Sequence, residues 1–362
     1  MRSITNRLSD WVLKYRIPHV AVKDLLKHVL PVRPGELDEI NTLPLDPRTF
    51  LGTSTNIVLR PVNPGHYFHV GIEKAIQTLF RRLGIRSCNL EVKVAINIDG
   101  LPLFHSSNGQ FYPILCSVEN IRVLVGIYYG NEKPRDTNDF LLEFVQEATY
   151  LIKNGIKLFE NMHKFIITKM LFDAVAKAQF LPIKGHSGYY SCTKCRQKGD
   201  YVRDRVCFPE IDFQKRTHED FLDEINNNEN QKSILLEIPG MNFVTNIPLD
   251  YMHLVCLGVV RKLIVNIWVF GKPPHKLSAG QTEAISRLLA ICKDFIPSEF
   301  ARRPRHLNEC KRFKATEFRQ ILFYTGIVVF KNVLSNDMYS HFITLHVALT
   351  AQISQHNEQK KF

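Results

Sequence analysis

Residues 172–195 read FDAVAKAQFLPIKGHSGYYSCTKC and place two kinds of metal-ligating side chain close together in the chain. Asp173 follows an apolar, strand-like run that ends at Phe172. A helix-compatible segment and a glycine-rich aromatic turn come next, and the stretch ends with Cys192-Thr-Lys-Cys195. Two thiolates on such a turn hold one metal ion, usually tetrahedral zinc. The stretch therefore predicts a carboxylate at a strand end and one half of a zinc site.

Alternating apolar residues predict three more strands upstream, and the first of them, LEVKVAINI, leads directly into Asp99. The four strands are predicted at residues 90–98, 111–118, 123–129 and 164–172. A helix from about Asn138 to Gly155 joins the third strand to the fourth. Three antiparallel strands, a crossover helix and one further strand predict an α/β fold with a mixed sheet.

Asp99 and Asp173 end the first and fourth predicted strands, so they meet at one rim of the sheet if those strands are neighbours. Unperturbed aspartate titrates near about 3.9, and two adjacent anions repel each other unless a cation joins them. Oxygen ligands suit Mg²⁺ or Mn²⁺. Two such ions activate a water and stabilise the leaving oxygen in phosphoryl transfer. The alternative for each acid alone is a turn or capping carboxylate.

A third acid usually completes such a site, and Glu317 is the candidate because it begins a predicted helix after a basic run. Basic side chains of this kind are suited to contacts with DNA phosphates. The basic run consists of Arg302, Arg303, Arg305, Lys311, Arg312 and Lys314.

Cys192 and Cys195 need further ligands if they bind zinc, and the segment Asp250-Tyr-Met-His253-Leu-Val-Cys256 offers them. Spacings of three residues place His253 on the same helix face as Asp250 and as Cys256. We expect His253 as the third ligand and leave the fourth open between Asp250 and Cys256. Two alternatives remain: Cys256 is a small buried hydrophobe, and the Cys-x-x-Cys is a redox pair.

The length of the chain allows two or three domains, or one large domain with an insertion. The chain has 362 residues, of which 45% are hydrophobic and 23% charged, and it has no low-complexity tract. It contains no unbroken run of 18 apolar residues, so we expect no membrane partner. Eight cysteines in a chain of this size form no regular framework, which favours a reducing compartment.

The charge balance favours a polyanionic partner. Lys and Arg number 47 against 35 acids, for a net charge of +12, and nucleic acid is the first partner to consider. Solubility alone is the other explanation. Residues 1–33 predict two short helices with exposed basic residues, broken near Pro18, and this hairpin is compatible with a DNA-binding helix-turn-helix. An ordinary helical hairpin is the alternative.

The pattern divides the chain into five parts. A helical hairpin is predicted at 1–33, a proline-rich linker at 34–68, the first part of the core with Asp99 and Asp173 at 69–195, a zinc-tethered insertion at 196–300, and the third-acid helix with a C-terminal helix at 301–362.

Four blocks together resemble a known family. They are AINIDGLPLFHSSNGQFYPIL from Ala95, LFDAVAKAQFLPIKGHSGYYSCTKC from Leu171, IPLDYMHLVCLGVVRKL from Ile247 and FKATEFRQILFYTG from Phe313. In this order they resemble the CACTA (En/Spm-like) transposases and the host proteins derived from them, over about residues 95–334.

The resemblance implies a ribonuclease H-like fold with a DDE triad and a mostly helical insertion between the second and third acids. The first, second and third acids match Asp99, Asp173 and Glu317, and the zinc-type cysteines match Cys192 and Cys195. The family's Asp-x-x-His element matches Asp250 and His253, and the family is related to the antigen-receptor recombinase.

This chain departs from the family pattern in three places. It has Asp173-Ala-Val-Ala176 where relatives often read Asp-x-Pro-Ala, the asparagine-rich stretch Asn226 to Asn230 where many relatives have histidines, and a chain that stops soon after the third-acid helix.

The resemblance predicts a nuclear, Mg²⁺- or Mn²⁺-dependent DNA transposase or derived nuclease with a structural zinc. We expect it to act on DNA without a small-molecule substrate, and to be a homo-oligomer if it is active. The alternative is a catalytically inactive DNA-binding host protein that keeps the zinc site. A third, weaker possibility is a zinc-stabilised protein-interaction module.

Overall fold

The computed structural model describes residues 4–30, 43–53, 57–103, 107–119, 121–181, 183–185, 187–226 and 232–358. The chain separates into two compact units, Met1–Arg60 and Pro61–Phe362. The predicted carboxylate and cysteine residues all lie in the second unit.

The first unit contains the two helices predicted near the N-terminus. They span Ile4–Lys14 and His19–Asp24, and the second continues as one π-helical stretch, Leu25–Val29. Pro18 begins the second helix, because a proline ring is tolerated where a helix starts. The small core of this unit consists of Val12, Val22, Leu26, Leu43 and Phe50. The two helices predicted within residues 1–33 are present, and contact of the second helix with DNA stays a prediction.

The second unit is built on one mixed sheet and a separate two-stranded hairpin. The strands are β1 (Arg60–Val62), β2 (Gly65–His69), β3 (Glu91–Ile98), β4 (Leu101–Pro102), β5 (Gln110–Val118), β6 (Ile121–Gly130), β7 (Ile156–Leu158), β8 (Asn161–Leu171), β9 (Asp200–Val202) and β10 (Arg205–Cys207). The sheet order is β1-β2-β6-β5-β3-β8-β7, with β4 paired to β5, and β9 pairs with β10 apart from it.

The four predicted strands are β3, β5, β6 and β8, and they lie next to one another. β3, β5 and β6 form antiparallel pairs, the helix Thr137–Asn154 crosses over, and β8 returns parallel to β3. A parallel neighbour requires such a crossover, because a tight turn joins only antiparallel strands. The predicted mixed α/β fold is confirmed.

Part of the predicted proline-rich linker is instead a hairpin of the sheet. Residues 34–42 lie outside the described residues, but β1 and most of β2 fall within 34–68, and β2 pairs with β6. Tyr67 of β2 is almost completely buried, while Pro61 sits in β1 at the end of the sheet. Proline is tolerated in an edge strand, so the number of prolines in residues 34–68 did not distinguish a linker from a strand at the edge of the sheet.

Helices cover the sheet through a continuous apolar core. Phe140, Phe144 and Ala148 of the crossover helix are fully buried together with Ile76 and Phe80 of the helix Ile72–Leu83. Residues between 221 and 247 join the same core: Phe221, Leu235, Ile238, Met241, Phe243, Val244 and Ile247. The first half of the predicted insertion is therefore packed onto the sheet by apolar contacts.

Glu147 of the crossover helix caps the neighbouring helix Ile72–Leu83. Its carboxylate accepts hydrogen bonds from the amides of Ile72 and Glu73, at 2.7 and 3.2 Å, and contacts Nε2 of His69 at 2.8 Å. Burial alone would raise the pKa of Glu147, but these hydrogen bonds outweigh it and lower the pKa below its ordinary value.

Glu147→Gln is expected to destabilise the second unit by about 1–3 kcal/mol at neutral pH, because charge-assisted hydrogen bonds to buried amides are lost. A lowered folded-state pKa contributes stability above the unfolded value, and this stability disappears as the pH falls through the folded-state pKa. Urea unfolding at pH 7 and pH 3 checks this, and the difference between wild type and variant must shrink at pH 3. An equal difference at both values would contradict the assignment.

The C-terminal part of the chain forms a second, helical core. Its helical segments are Met252–Val260, Lys262–Val269, Ala279–Cys292, Ala315–Gln320, Ile321–Thr325, Gly326–Val329 and Asn336–Glu358. Trp268 and Phe342 each pack edge-on against Phe330 at its centre, with ring centroids 5.1 and 5.0 Å from that of Phe330. Ala315–Gln320 and Asn336–Glu358 correspond to the predicted third-acid helix and C-terminal helix.

Within the described residues, the helix Met252–Val269 is long and apolar enough to cross a bilayer, with a mean hydropathy of 1.6. Arg261 and Lys262 interrupt it, and buried side chains such as Ile264 and Trp268 belong to the helical core. A core helix meets the same two criteria, so this is weak evidence for a membrane span.

Candidate active site at the ends of β3 and β8

The parallel pairing of β3 with β8 brings Asp99 and Asp173 together. Asn97 is paired with Leu171, and its side-chain amide donates to the Leu171 carbonyl at 3.1 Å. Two further residues along each strand lead to Asp99 and Asp173. Burial raises the pKa of Asp99, and the charge of Asp173 raises it further. The two carboxylates are therefore close enough to repel each other, as the strand ends predicted.

The backbone around Asp173 fixes the direction of its side chain. Asp173 is the N-cap of the helix Ala174–Phe180, and its carboxylate accepts a hydrogen bond from the amide of Ala176. A capping carboxylate is oriented by the amides of the first helical turn. Asp173 therefore has the helix-capping role that was the alternative predicted from the sequence. The cap uses one carboxylate oxygen and leaves the other available at the strand end.

Asp250 and His253 join the two aspartates. Asp250 precedes the helix that begins at Met252, and its carboxylate contacts Nδ1 of His253. Burial would lower the pKa of His253, but Asp250 raises it, with smaller contributions from Asp173 and Asp99. His253 is therefore more readily protonated than an ordinary histidine. The structure places Asp250 and His253 beside Asp99 and Asp173, whereas the sequence had predicted Asp250 and His253 as zinc ligands.

Asn246 holds the Asp250 segment against the sheet. The amide of Met170 donates to the Asn246 carbonyl at 2.9 Å, and the Asn246 side chain donates to the Thr168 carbonyl at 2.7 Å. Both partners belong to β8, the strand that leads to Asp173. The sequence contained no signal for this contact, because an asparagine in an irregular segment is compatible with many loops.

Tyr112 is a further neighbour of Asp99 and Asp173 and was not predicted from the sequence. Burial raises the pKa of its hydroxyl, and the charges of Asp99 and Asp173 raise it further. A Cβ at Gly100 would lie 2.9 Å from the Tyr112 ring, so glycine is needed beside Asp99. The antiparallel register pairs Ile98 with Ile114, and counting two residues further would have placed Tyr112 opposite Gly100.

The structure does not bring Glu317 to this cluster. Glu317 is only 3% exposed, and its carboxylate accepts two hydrogen bonds from the Arg305 guanidinium, at 2.7 and 3.0 Å. It also accepts from the amide of Lys314 at 2.7 Å. The helix that carries Glu317 packs against the helix that follows Asp250. In this contact Arg319, from the same helix as Glu317, interacts with Tyr251. The predicted third acid is therefore engaged in a buried ion pair.

The predicted phosphate-binding residues divide into two groups. Arg305 is half-buried and paired with Glu317 and Glu309, so its charge is neutralised. The other five side chains are exposed: Arg302, Arg303, Lys311, Arg312 and Lys314. Lys311 lies over the Phe270 ring, 4.1 Å from its centroid. An exposed basic surface remains, and its contact with DNA stays a prediction.

The two cysteines of the Cys-x-x-Cys turn lie together. Their sulfur atoms are 3.3 Å apart, and the charged groups acting on them include Arg216. Cys256 is buried in the helical core, as the alternative for this residue predicted. In the part of the chain that the structure describes, no three His, Cys, Asp or Glu side chains form a group that could hold a metal, so a zinc site of Cys192, Cys195 and His253 stays a prediction.

The donor atoms of Asp99 and Asp173 fit a hard divalent cation. Among the described residues, no three His, Cys, Asp or Glu side chains form a ready-made metal site. Mg²⁺, however, is commonly held by one or two carboxylates, with water and substrate phosphates completing its shell. Burial and the negative charge of Asp173 both raise the pKa of Asp99. A cation bound between the two carboxylates would remove the repulsion between them.

The fold and the site together define a mixed α/β protein with an aspartate–histidine cluster at the carboxyl ends of two parallel strands. No model of a known protein family matches this chain, and no curated protein matches it.

Proposed function

We propose that this chain is a metal-dependent enzyme that cleaves DNA phosphodiester bonds, with the ribonuclease H-like core of the CACTA transposases that its sequence resembles. The observation that carries the proposal is the convergence of Asp99 and Asp173 at the ends of β3 and β8. The crossover helix and the three antiparallel strands beside β8 support it, because this is the arrangement predicted for such a core.

Asp99 and Asp173 would hold Mg²⁺ or Mn²⁺. When bound there, the metal supplies Lewis-acid activation of water and stabilisation of the leaving oxygen. The N-cap hydrogen bond keeps the Asp173 carboxylate in a fixed direction. Asp250 engages Nδ1 of His253, which leaves Nε2 to donate a hydrogen bond to a substrate phosphate when the ring is protonated.

The exposed basic residues between 302 and 314 would contact the DNA backbone. Strand transfer needs two DNA ends in one assembly, so the active species would be a homo-oligomer. Localisation in the nucleus follows from a DNA substrate. A zinc ion is not part of this mechanism.

Cleavage of supercoiled plasmid tests the proposal. Wild-type protein is expected to nick the plasmid with Mg²⁺ or Mn²⁺ and to lose this activity in EDTA. Asp173→Asn should be inactive, whereas Asp204→Asn should match wild type, because Asp204 is exposed in the β9–β10 turn at a φ of 61°, which asparagine tolerates. Equal nicking by the Asp173 variant and wild type would overturn the proposal.

A second candidate function is a transposase-derived DNA-binding protein without catalysis. The ion pair between Glu317 and Arg305 favours it, because a DDE enzyme needs its third acid free for metal. This candidate predicts no metal-dependent nicking by wild type, together with DNA binding that weakens as salt rises from 50 to 200 mM. The plasmid assay and a fluorescence-anisotropy titration at these two salt concentrations separate the two functions.

A further inference from the structure

We propose that Cys192 and Cys195 form a redox modification site, in which a peroxide oxidises Cys192 and Cys195 closes an intramolecular disulfide. The two sulfur atoms are 3.3 Å apart, and the amide of Cys195 also donates to the Cys192 sulfur at 3.3 Å. A disulfide requires about 2.05 Å, so a small rotation of the side chains closes the bond.

Cationic side chains surround the Cys192 sulfur. The Cys192 thiolate interacts electrostatically with the side chains of Lys177, Lys194 and Arg216. Lys177 donates to the Thr193 hydroxyl at 3.1 Å, Lys194 donates to the Ile247 carbonyl at 2.7 Å, and Arg216 donates to the Cys195 carbonyl at 3.0 Å. These contacts fix three positive charges around the turn, and positive charge stabilises a thiolate.

The two cysteines are not equivalent. Burial would raise the pKa of Cys192, but hydrogen bonds from the Lys194 and Cys195 amides and the Cys195 thiol, with the charge of Arg216, lower it. Burial and the neighbouring Cys192 raise the pKa of Cys195. Cys192 is thus the nucleophile and Cys195 the resolving thiol, which is the division of roles that disulfide exchange requires.

The surroundings of the pair suit a thiolate better than a zinc site. A zinc ion needs two more anionic or imidazole ligands, whereas the charged side chains shown to interact with Cys192 are lysine and arginine. The pair is half-buried, so a small oxidant has access to it. The structure thus favours the redox alternative for this motif.

The chemistry balances with hydrogen peroxide as the oxidant. The Cys192 thiolate attacks one peroxide oxygen, an S–O bond forms, the O–O bond breaks, and the departing hydroxide takes a proton to become water. The Cys195 thiol then attacks the sulfenic sulfur, an S–S bond forms, the S–O bond breaks, and a second water leaves.

The test combines zinc analysis with peptide mass spectrometry after hydrogen peroxide treatment. We expect substoichiometric zinc, a disulfide joining Cys192 to Cys195 in wild type, and a dimedone-trapped sulfenic acid at Cys192 in Cys195→Ser. Cys192 should alkylate about ten-fold faster than Cys195 at pH 7. Cys292→Ser is the matched control and should form the disulfide like wild type, because Cys292 is a half-buried thiol outside the pair.

Two results would overturn the proposal. One is a full equivalent of zinc per chain that both Cys192→Ser and Cys195→Ser lose. The other is oxidised wild-type protein in which Cys192 and Cys195 remain reduced or are joined to other cysteines. Lys177→Met gives an independent check, since removing this cation should slow alkylation of Cys192 several-fold.

Discussion

Asp99→Asn is expected to lower metal-dependent DNA cleavage about a thousand-fold while leaving the protein as stable as wild type or more stable. The activity falls because an amide is a poor ligand for a hard cation and one of the two carboxylates proposed to hold the ion is lost. Stability does not fall, because Asp99 is half-buried beside a like charge and its pKa is raised by burial and by Asp173.

The sign of the stability change follows from linkage. A carboxyl with a raised folded-state pKa contributes stability below its unfolded value, and this contribution is lost as the pH rises through the folded-state pKa. At neutral pH the ionised Asp99 therefore weakens the metal-free fold, and asparagine removes the repulsion with Asp173. Thermal unfolding in EDTA at pH 7 and pH 4 measures this, and the advantage of the variant should shrink at pH 4.

Bound metal is expected to reverse the difference in thermal stability between wild type and Asp99→Asn. Added Mn²⁺ should raise the melting temperature of wild type but not that of Asp99→Asn, because only wild type binds the ion. Asp204→Asn serves as the control and should behave as wild type in both buffers. A variant that is less stable than wild type in EDTA would show that Asp99 is a structural carboxylate.

Arg305→Met is expected to destabilise the second unit by about 3–5 kcal/mol, because it leaves the Glu317 carboxylate buried without its cation. Glu317 is 3% exposed, whereas the Arg305 side chain is 32% exposed. Glu317→Ala should therefore cost less, about 1–3 kcal/mol, since the half-exposed guanidinium keeps Glu309 and water as partners.

Urea unfolding with a matched control distinguishes this structural role from a catalytic one. Glu309→Ala removes the exposed partner of Arg305 and should change stability by less than about 1 kcal/mol. If Glu317 were instead a metal ligand, Glu317→Gln would abolish cleavage without loss of stability. Equal stability of wild type and Arg305→Met would contradict the buried ion pair.

The sequence predicted those parts of the fold that depend on local patterning. Alternation identified β3, β5, β6 and β8, and each of the two aspartates follows directly on an apolar strand. Because parallel strands carry their carboxyl ends to the same edge, placing Asp99 with Asp173 required only the pairing of β3 with β8. That part of the site was accessible from residue order alone.

The remaining parts depended on contacts between distant segments. His253 and Asp250 are attractive zinc ligands by residue type, but Asn246 fastens their segment to β8 beside the aspartates. Glu317 resembles a third acid by position, yet Arg305, twelve residues earlier, binds it. No local pattern distinguishes a carboxylate that binds metal from one that binds a guanidinium.

Calorimetric titration of Mn²⁺ into metal-free protein tests the central claim most directly. Wild type and Asp204→Asn are expected to bind the ion, and the double variant Asp99→Asn, Asp173→Asn is expected to show no binding at the same concentrations. Binding of equal strength by the double variant would contradict the claim that these two aspartates form the metal site.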